Sequence, residues 1–303
     1  MPRASAGVAA GIRHHWRVPE LPEVQALSAF LDERVRGRRV DAVQLLSFAA
    51  LKTYDPPLDA LRGAALQGCC RRGKFLALQA EAMWLVLHLA RAGWIRWRDK
   101  LEMGAAKLGR GPMALRLRLD DGSGIEATEQ GTEKRLAIYL VRSLEEVPGI
   151  AGLGVDPLDA CFDVDALAAL LRGESGQLKH ALTDQRRLAG VGNAYSDEAL
   201  HVARLSPFRR ASSLDAGEVA ALHAALQQVL RDAVARSAGL PASGLKSEKR
   251  SGMRVHGRTG EPCPVCGDIV REVAFATRSL QYCPTCQTGG RVLADRRLSR
   301  LLK

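Results

Sequence analysis

Four of the chain's seven cysteines fall into two pairs, Cys263-x2-Cys266 and Cys283-x2-Cys286, with sixteen residues between them. Two knuckles at this separation bring four thiolates to one ion across a hairpin, the pattern of a zinc ribbon. Pro264, Val265 and Gly267 in the first knuckle, and Pro284 and Thr285 in the second, suit the tight turns required. Four cysteine ligands close the coordination shell, so the expected cofactor is one structural Zn2+ ion, with a redox or disulfide pair as the alternative. Cys69, Cys70 and Cys161 lack such partners and are expected to be small buried apolar residues. The chain's 303 residues leave room for two further domains.

The formal net charge of +11 points to a polyanionic partner, with a generally basic surface as the alternative. Charge alone does not separate DNA, RNA and acidic lipid. No apolar stretch is long enough to span a membrane, so a soluble, cytoplasmic protein without a membrane partner is expected.

Residues 19–24 read Pro-Glu-Leu-Pro-Glu-Val. Within a chain, proline nitrogen is a tertiary amide; at a free N-terminus it is a secondary amine that can attack a sugar carbon and give an iminium. An α-amine titrates near 7.7–8.0, so roughly one in ten is neutral at pH 7, far more than for lysine. Pro22 suits a first helical turn, and Val24, Leu27, Phe30, Leu31 and Val35 recur at helical spacing. The amine would then lie beside a helix N-terminus, whose positive end lowers its pKa. Glu20 is the adjacent candidate acid or base; a plain helix entry is the competing reading of these six residues. Residues 1–17 carry Arg3, Arg13, Arg17, His14 and His15 but no acid, as a leader or disordered extension would. Val18 stands where an initiator would be, so a GTG start at Val18 is expected over a genuine extension.

Residues 39–142 read mainly as strands: Leu115, Leu117 and Leu119 alternate with Arg116 and Arg118, Asp121-Gly122 marks a turn, and the tryptophans suit a core. The expected fold is α+β and multidomain, opening with a β-sandwich that has a helix at its start. Glycine and proline mark a linker over 144–160, and helices follow over 163–173, 177–187, 193–204 and from the Asp215/Glu218 capping box to Gly239. Gly190-Val191-Gly192-Asn193, before the third of these helices, can cradle a phosphate or be a plain turn.

The proline motif, Arg71-Arg72-Gly73-Lys74, the Gly-Val-Gly-Asn turn and the four-cysteine finger, in this order, resemble the formamidopyrimidine-DNA glycosylase and endonuclease VIII family from Pro19 to Gln287. The resemblance implies a monomeric enzyme of base excision repair acting on damaged double-stranded DNA, in four parts: a catalytic β-sandwich domain (19–150), a helix-two-turn-helix domain (151–250), a zinc finger (251–287) and a basic tail (288–303), after a leader over 1–18. By resemblance, Pro19 forms the Schiff base, Glu20 assists sugar opening, Lys74 aids β-elimination and Arg278 aids δ-elimination and grips phosphate. Asn193 and Lys179 resemble its DNA contacts, as do Arg110 and Arg135. Arg91 and Leu136 stand where purine-repair members carry an inserting methionine and phenylalanine, so Leu136 is expected to act as an apolar wedge. Only eight residues separate Lys246 from Val255, too few for the family's longer lesion-covering loop, which suggests a more open pocket. The competing functional readings are a catalytically silent relative that recognises damaged DNA and, further off, a zinc-ribbon RNA-binding protein.

Overall fold

The computed structural model describes residues 18–104, 111–130, 133–275 and 279–294. The first helix, α1 (Leu21–Val35), has Pro22 in its opening turn, and the Glu23 carboxylate accepts from the Glu20 N–H at 2.8 Å. Its apolar stripe, with Val24, Leu27, Leu31 and Val35 at most 1% exposed, packs into the sandwich core.

Eight strands follow: β1 (Val40–Leu45), β2 (Leu66–Arg72), β3 (Phe75–Ala80), β4 (Met83–His88), β5 (Gly93–Arg98), β6 (Met113–Leu119), β7 (Gly124–Glu129) and β8 (Ala137–Val141). They form two four-stranded sheets, β1-β6-β7-β5 and β2-β3-β4-β8, antiparallel throughout. The leucine alternation in β6 works as expected. Leu115, Leu117 and Leu119 point into the core, while Arg116 and Arg118 face outward to Glu126 and Asp41. Gly122 sits at φ +83° in the β6–β7 turn, a conformation glycine adopts without steric penalty. The described tryptophans pack as core or sheet-face residues: Trp94 is buried, Trp97 meets Phe30 edge-on and Trp84 lies on the outer face of the second sheet.

Residues 144–160 are not an open linker. Leu144 and Val147 are buried with Ala77, Val86 and Val141 on the second sheet, leading into the short helix α2 (Pro148–Ala151). Further on, Val155 pairs with Leu188. A Cβ at Gly154 would lie 2.3 Å from the Arg187 carbonyl oxygen, so only glycine allows this approach. The segment reads as a linker in sequence because its glycines serve close packing.

Helix α3 (Val164–Arg172) is capped by Asp163, which accepts from the Ala166 N–H at 2.8 Å. Helix α4 (Leu178–Thr183) ends four residues earlier than the sequence suggests. The chain after it is drawn off by pairing with 154–155, and Gln185 ties it to Gly190 and Val191. Helix α5 (Asn193–Val202) and the long α6 (Ala216–Ser237) form the centre of a second core, with the Asp215/Glu218 capping box in place.

The eight residues expected to be a short loop fall largely within a helix, α7 (Leu245–Ser251). Ala242 and Leu245 enter the sandwich core, Met253 enters the helical core, and the Trp94 indole donates to the Ala242 carbonyl at 3.0 Å. This segment is therefore a packed strap between the two cores. The chain closes with the hairpin β9 (Arg271–Ala274) and β10 (Ser279–Tyr282) and the short α8 (Pro284–Thr288). Among the described residues, no helix is long and apolar enough to cross a membrane.

Candidate functional site

Glu20 lies at the seam between the two cores, and its carboxylate reaches 172 residues along the chain to the start of α5. It accepts from the backbone N–H groups of Gly192 at 2.8 Å, Ala194 at 2.9 Å and Tyr195 at 3.3 Å. These are the unpaired donors of a helix N-terminus, where the macrodipole also favours an anion. The glycine turn thus holds a carboxylate of the chain itself at these amides.

Two lysines flank this anion. Lys249 of α7, 4% exposed, places its Nζ 3.7 Å from Glu20, 2.9 Å from Glu23 and 2.9 Å from the Val18 carbonyl. The Tyr195 hydroxyl donates to the other Glu23 oxygen. Lys74 stands in the two-residue β2–β3 turn, beside Gly73 at φ +55°. Burial is the largest influence on the Glu20 carboxyl and pushes its pKa up. Lys249, Lys74, the Ala194 N–H and His256 together outweigh it, and the balance falls below the ordinary glutamate value. Glu20 is therefore an anion at neutral pH.

Gly192 is where these groups converge. A Cβ there would lie 2.5 Å from the Glu20 carboxyl carbon and 2.7 Å from the Lys74 Nζ. Both are side-chain ends, but three backbone donors hold Glu20, so it cannot retreat without losing them. Gly192→Ala is expected to lower turnover at this site by about 100-fold, the effect of roughly 1 Å of misplacement, and to lower the melting temperature as the buried hydrogen bonds to Glu20 are strained. Single-turnover kinetics beside a thermal melt checks this; unchanged turnover would count against the assignment.

Beyond Gly192 opens a cleft of about 470 Å³ lined by Lys74, Arg91, Lys179, Asn193, Phe275 and Ser279, among others. Asn193 donates its side-chain amide to the Ser279 carbonyl at 2.7 Å, tying α5 to the finger hairpin. The Lys179 ammonium donates to the Asn193 carbonyl, the Ser196 hydroxyl and Asp197, at 3.0, 2.9 and 2.6 Å. Asp197 also meets His256 Nδ1 at 2.8 Å. Lys179 thus first braces the start of α5.

Of the other expected site residues, Arg91 lines the cleft from an exposed position, whereas Arg135, also exposed, lies outside the cleft lining and pairs with Glu133 at 3.3 Å. Leu136 is not a surface wedge. It is 1% exposed in the sandwich core, held by its N–H to Glu129 at 2.8 Å, because the inward alternation of β8 begins with it. Arg110 and Arg278 lie outside the described residues. Lys249, Glu23 and Tyr195 were not expected as site residues. Glu23 lies within the proline motif, but nothing in its spacing to Lys249 or Tyr195 signals the contact.

The four paired cysteines converge, with all four Sγ atoms within 4.8 Å of one another. A Zn–S distance of about 2.3 Å in a tetrahedron gives S···S separations of about 3.8 Å. The Cys263–Cys286 separation of 3.9 Å matches that size and the Cys266–Cys283 separation of 3.3 Å lies about 0.5 Å below it, so four converging thiols form a donor set suited to such an ion. Of the unpaired cysteines, Cys69 is buried as expected, Cys70 is only half-buried, and Cys161 is exposed in the turn before α3.

Three family models match the chain in sequence order. That of the formamidopyrimidine-DNA glycosylase N-terminal domain covers residues 18–133, its H2TH domain 153–242, and the zinc finger found in FPG and IleRS 260–289. A formamidopyrimidine-DNA glycosylase of Symbiobacterium thermophilum is 37% identical over 286 residues, covering 89% of each chain. An uncharacterized formamidopyrimidine-DNA glycosylase-like protein of Mycobacterium tuberculosis is 60% identical over 156 residues, 52% of this chain and 98% of that one. The Lactococcus lactis formamidopyrimidine-DNA glycosylase bound non-covalently to DNA containing an AP site superimposes with a TM-score of 0.77 at 25% identity, over 89% of this chain and 99% of that one. With the three family models matching in order along most of the chain and a 37% identical relative covered over 89% of its length, the chain belongs to the formamidopyrimidine-DNA glycosylase family.

Proposed function

We propose that the protein is a bifunctional DNA glycosylase and AP lyase that removes oxidised bases from double-stranded DNA through a Schiff base on Pro19. The observation that carries this reading is the buried Glu20 anion, directly after Pro19 and between two lysines at the edge of a basic cleft. In the reaction, the free Pro19 amine bonds to C1′ of the damaged nucleotide, the base leaves, and the sugar ring opens to an iminium. The iminium acidifies the C2′ proton. Glu20, already ionised, is placed to move protons at the sugar, and Lys74 is placed to assist loss of the 3′ phosphate. Elimination of the 5′ phosphate follows, with Arg278 assigned to it by family likeness. The lesion must leave the base stack to reach Pro19, at a cost of a few kcal/mol that is smallest for a damaged base.

Lys74, Arg91 and Asn193 line the cleft and are the proposed phosphate contacts, and Arg110 and Arg135 are further DNA contacts by family likeness alone. Lys179, with its three acceptors, takes part by holding Asn193 in place. Cys263, Cys266, Cys283 and Cys286 hold a structural Zn2+ that keeps the hairpin folded and takes no part in the chemistry. With α7 packed as a strap, the pocket suits lesions that need no covering loop, such as oxidised pyrimidines and abasic sites. One observation favours a second reading, a DNA-recognition protein without chemistry: Val18 is bonded to Pro19, and its carbonyl is engaged by Lys249. The chemistry requires a chain that starts at Pro19.

End-group analysis of an abasic-site duplex distinguishes the readings. Such a chain should leave phosphates on both sides of a one-nucleotide gap; an intact strand with retained binding would support the silent reading.

A further inference from the structure

Lys249 sits where it can set the protonation state of the reacting amine, a role beyond the four residues assigned to the chemistry. Its Nζ is 2.9 Å from the Val18 carbonyl oxygen, which is joined through one carbon to the Pro19 nitrogen. Peptide geometry therefore puts Nζ within about 5 Å of that nitrogen. Lys249 is held there on several sides: by Glu23 at 2.9 Å, by Glu20 at 3.7 Å, over the face of the Tyr195 ring at 5.0 Å, and by the seating of α7 through Leu245 in the sandwich core.

We propose that Lys249 is a positioning residue that keeps the Pro19 amine in its neutral, nucleophilic form. This rests on the reading of Pro19 as nucleophile. When the chain starts at Pro19, the Val18 carbonyl is gone and the lysine's fixed positive charge faces the amine. A like charge at this range disfavours protonation of the amine. The other groups around it are Glu20 at the N-cap of α1, Glu23 from α1, Lys74 from the β2–β3 turn, Tyr195 from α5, Arg236 from α6 and His256. Burial, then Glu23, pushes the Tyr195 phenol well above its ordinary value, so it stays neutral. Glu23 is met by both Lys249 and the Tyr195 hydroxyl, and Glu20 by three backbone donors; both carboxylates favour the protonated amine, and the Lys249 ammonium is the charge that opposes them.

The test is NMR titration of the Pro19 amine in a chain beginning at Pro19, read from its 13C shifts, alongside the pH dependence of borohydride trapping on an abasic-site duplex. No described element or core residue lies before Pro19, so this chain keeps both cores whole. In Lys249→Met the amine pKa should rise by about one unit or more, so trapping at pH 6 falls about tenfold and recovers by about pH 9. Zinc content and the thermal melt report folding. Should that variant not fold, Glu23→Gln is compared with the double variant Lys249→Met/Glu23→Gln, which leaves no unpaired carboxylate. The double variant should titrate higher by about the same unit. An amine that titrates where the parent's does, or a trapping loss equal at every pH, would overturn the proposal. A shifted amine without trapping in any form would sustain it and refute the assigned chemistry, whereas trapping with an unshifted amine would do the reverse.

Discussion

Glu20→Gln is expected to slow strand cleavage at an abasic site by about 1,000-fold at neutral pH, within the usual range for losing a positioned acid or base. Duplex binding should change only a few-fold, because Glu20 lies behind the cleft lining and its partners are backbone N–H groups. A glutamine oxygen can still accept from the start of α5, so the seam should hold, and a thermal melt checks that it does. The sign of the pH effect follows from the depressed carboxyl. Below its folded pKa, Glu20 loses its charge along with its contribution to stability. Above the ordinary glutamate value, both are fully present. Any fall in cleavage between about pH 8 and pH 5 therefore belongs to another group, the Pro19 amine in this account. Single-turnover cleavage by Glu20→Gln at the parental rate would remove Glu20 from the chemistry.

Cys283→Ser should produce the second large effect. Cys283 is fully buried, and β9 and β10 are four residues each, too short a hairpin to stand on its own. Structural zinc sites supply roughly 10–16 kcal/mol of folding free energy in isolated fingers, so removing one thiolate should release the metal and unfold the hairpin. The consequence reaches the cleft. Ser279 lines it and accepts from Asn193, and Gln287 donates to the Leu205 carbonyl at 3.0 Å. Loss of zinc should therefore weaken duplex binding by more than about tenfold and flatten its salt dependence as phosphate contacts are lost. Stoichiometric zinc in the variant would refute the four-cysteine assignment.

The parts of this architecture that sequence discloses are those written in short-range patterns. The alternation of Leu115, Leu117 and Leu119, the Asp163 cap, the Asp215/Glu218 box and the two cysteine knuckles all depend on neighbours within a few residues. What sequence conceals depends on partners brought together only by folding. Glu20 finds its donors on α5, and Lys249 finds Glu23 across the seam. The early end of α4 is imposed by pairing with Gly154 and Val155, against a local pattern that would extend the helix. Leu136 misleads for a related reason. It precedes β8 among exposed residues, and only the register of that strand turns it inward. The strap at 240–253 has the composition of a loop because one of its faces is charged, yet its few apolar residues reach two different cores. Fold class and the convergence of the four cysteines are thus legible in the sequence, while the packing around Glu20 is not.

Borohydride trapping on an abasic-site duplex reads out whether Pro19 is the nucleophile. The chain beginning at Met1 and one beginning at Pro19 after methionine removal would be compared side by side, with duplex binding measured for each. A covalent protein–DNA adduct is expected from the shortened chain alone. Equal trapping by both would place the nucleophile elsewhere, and no trapping by either with binding retained would leave a scaffold that recognises DNA without cutting it.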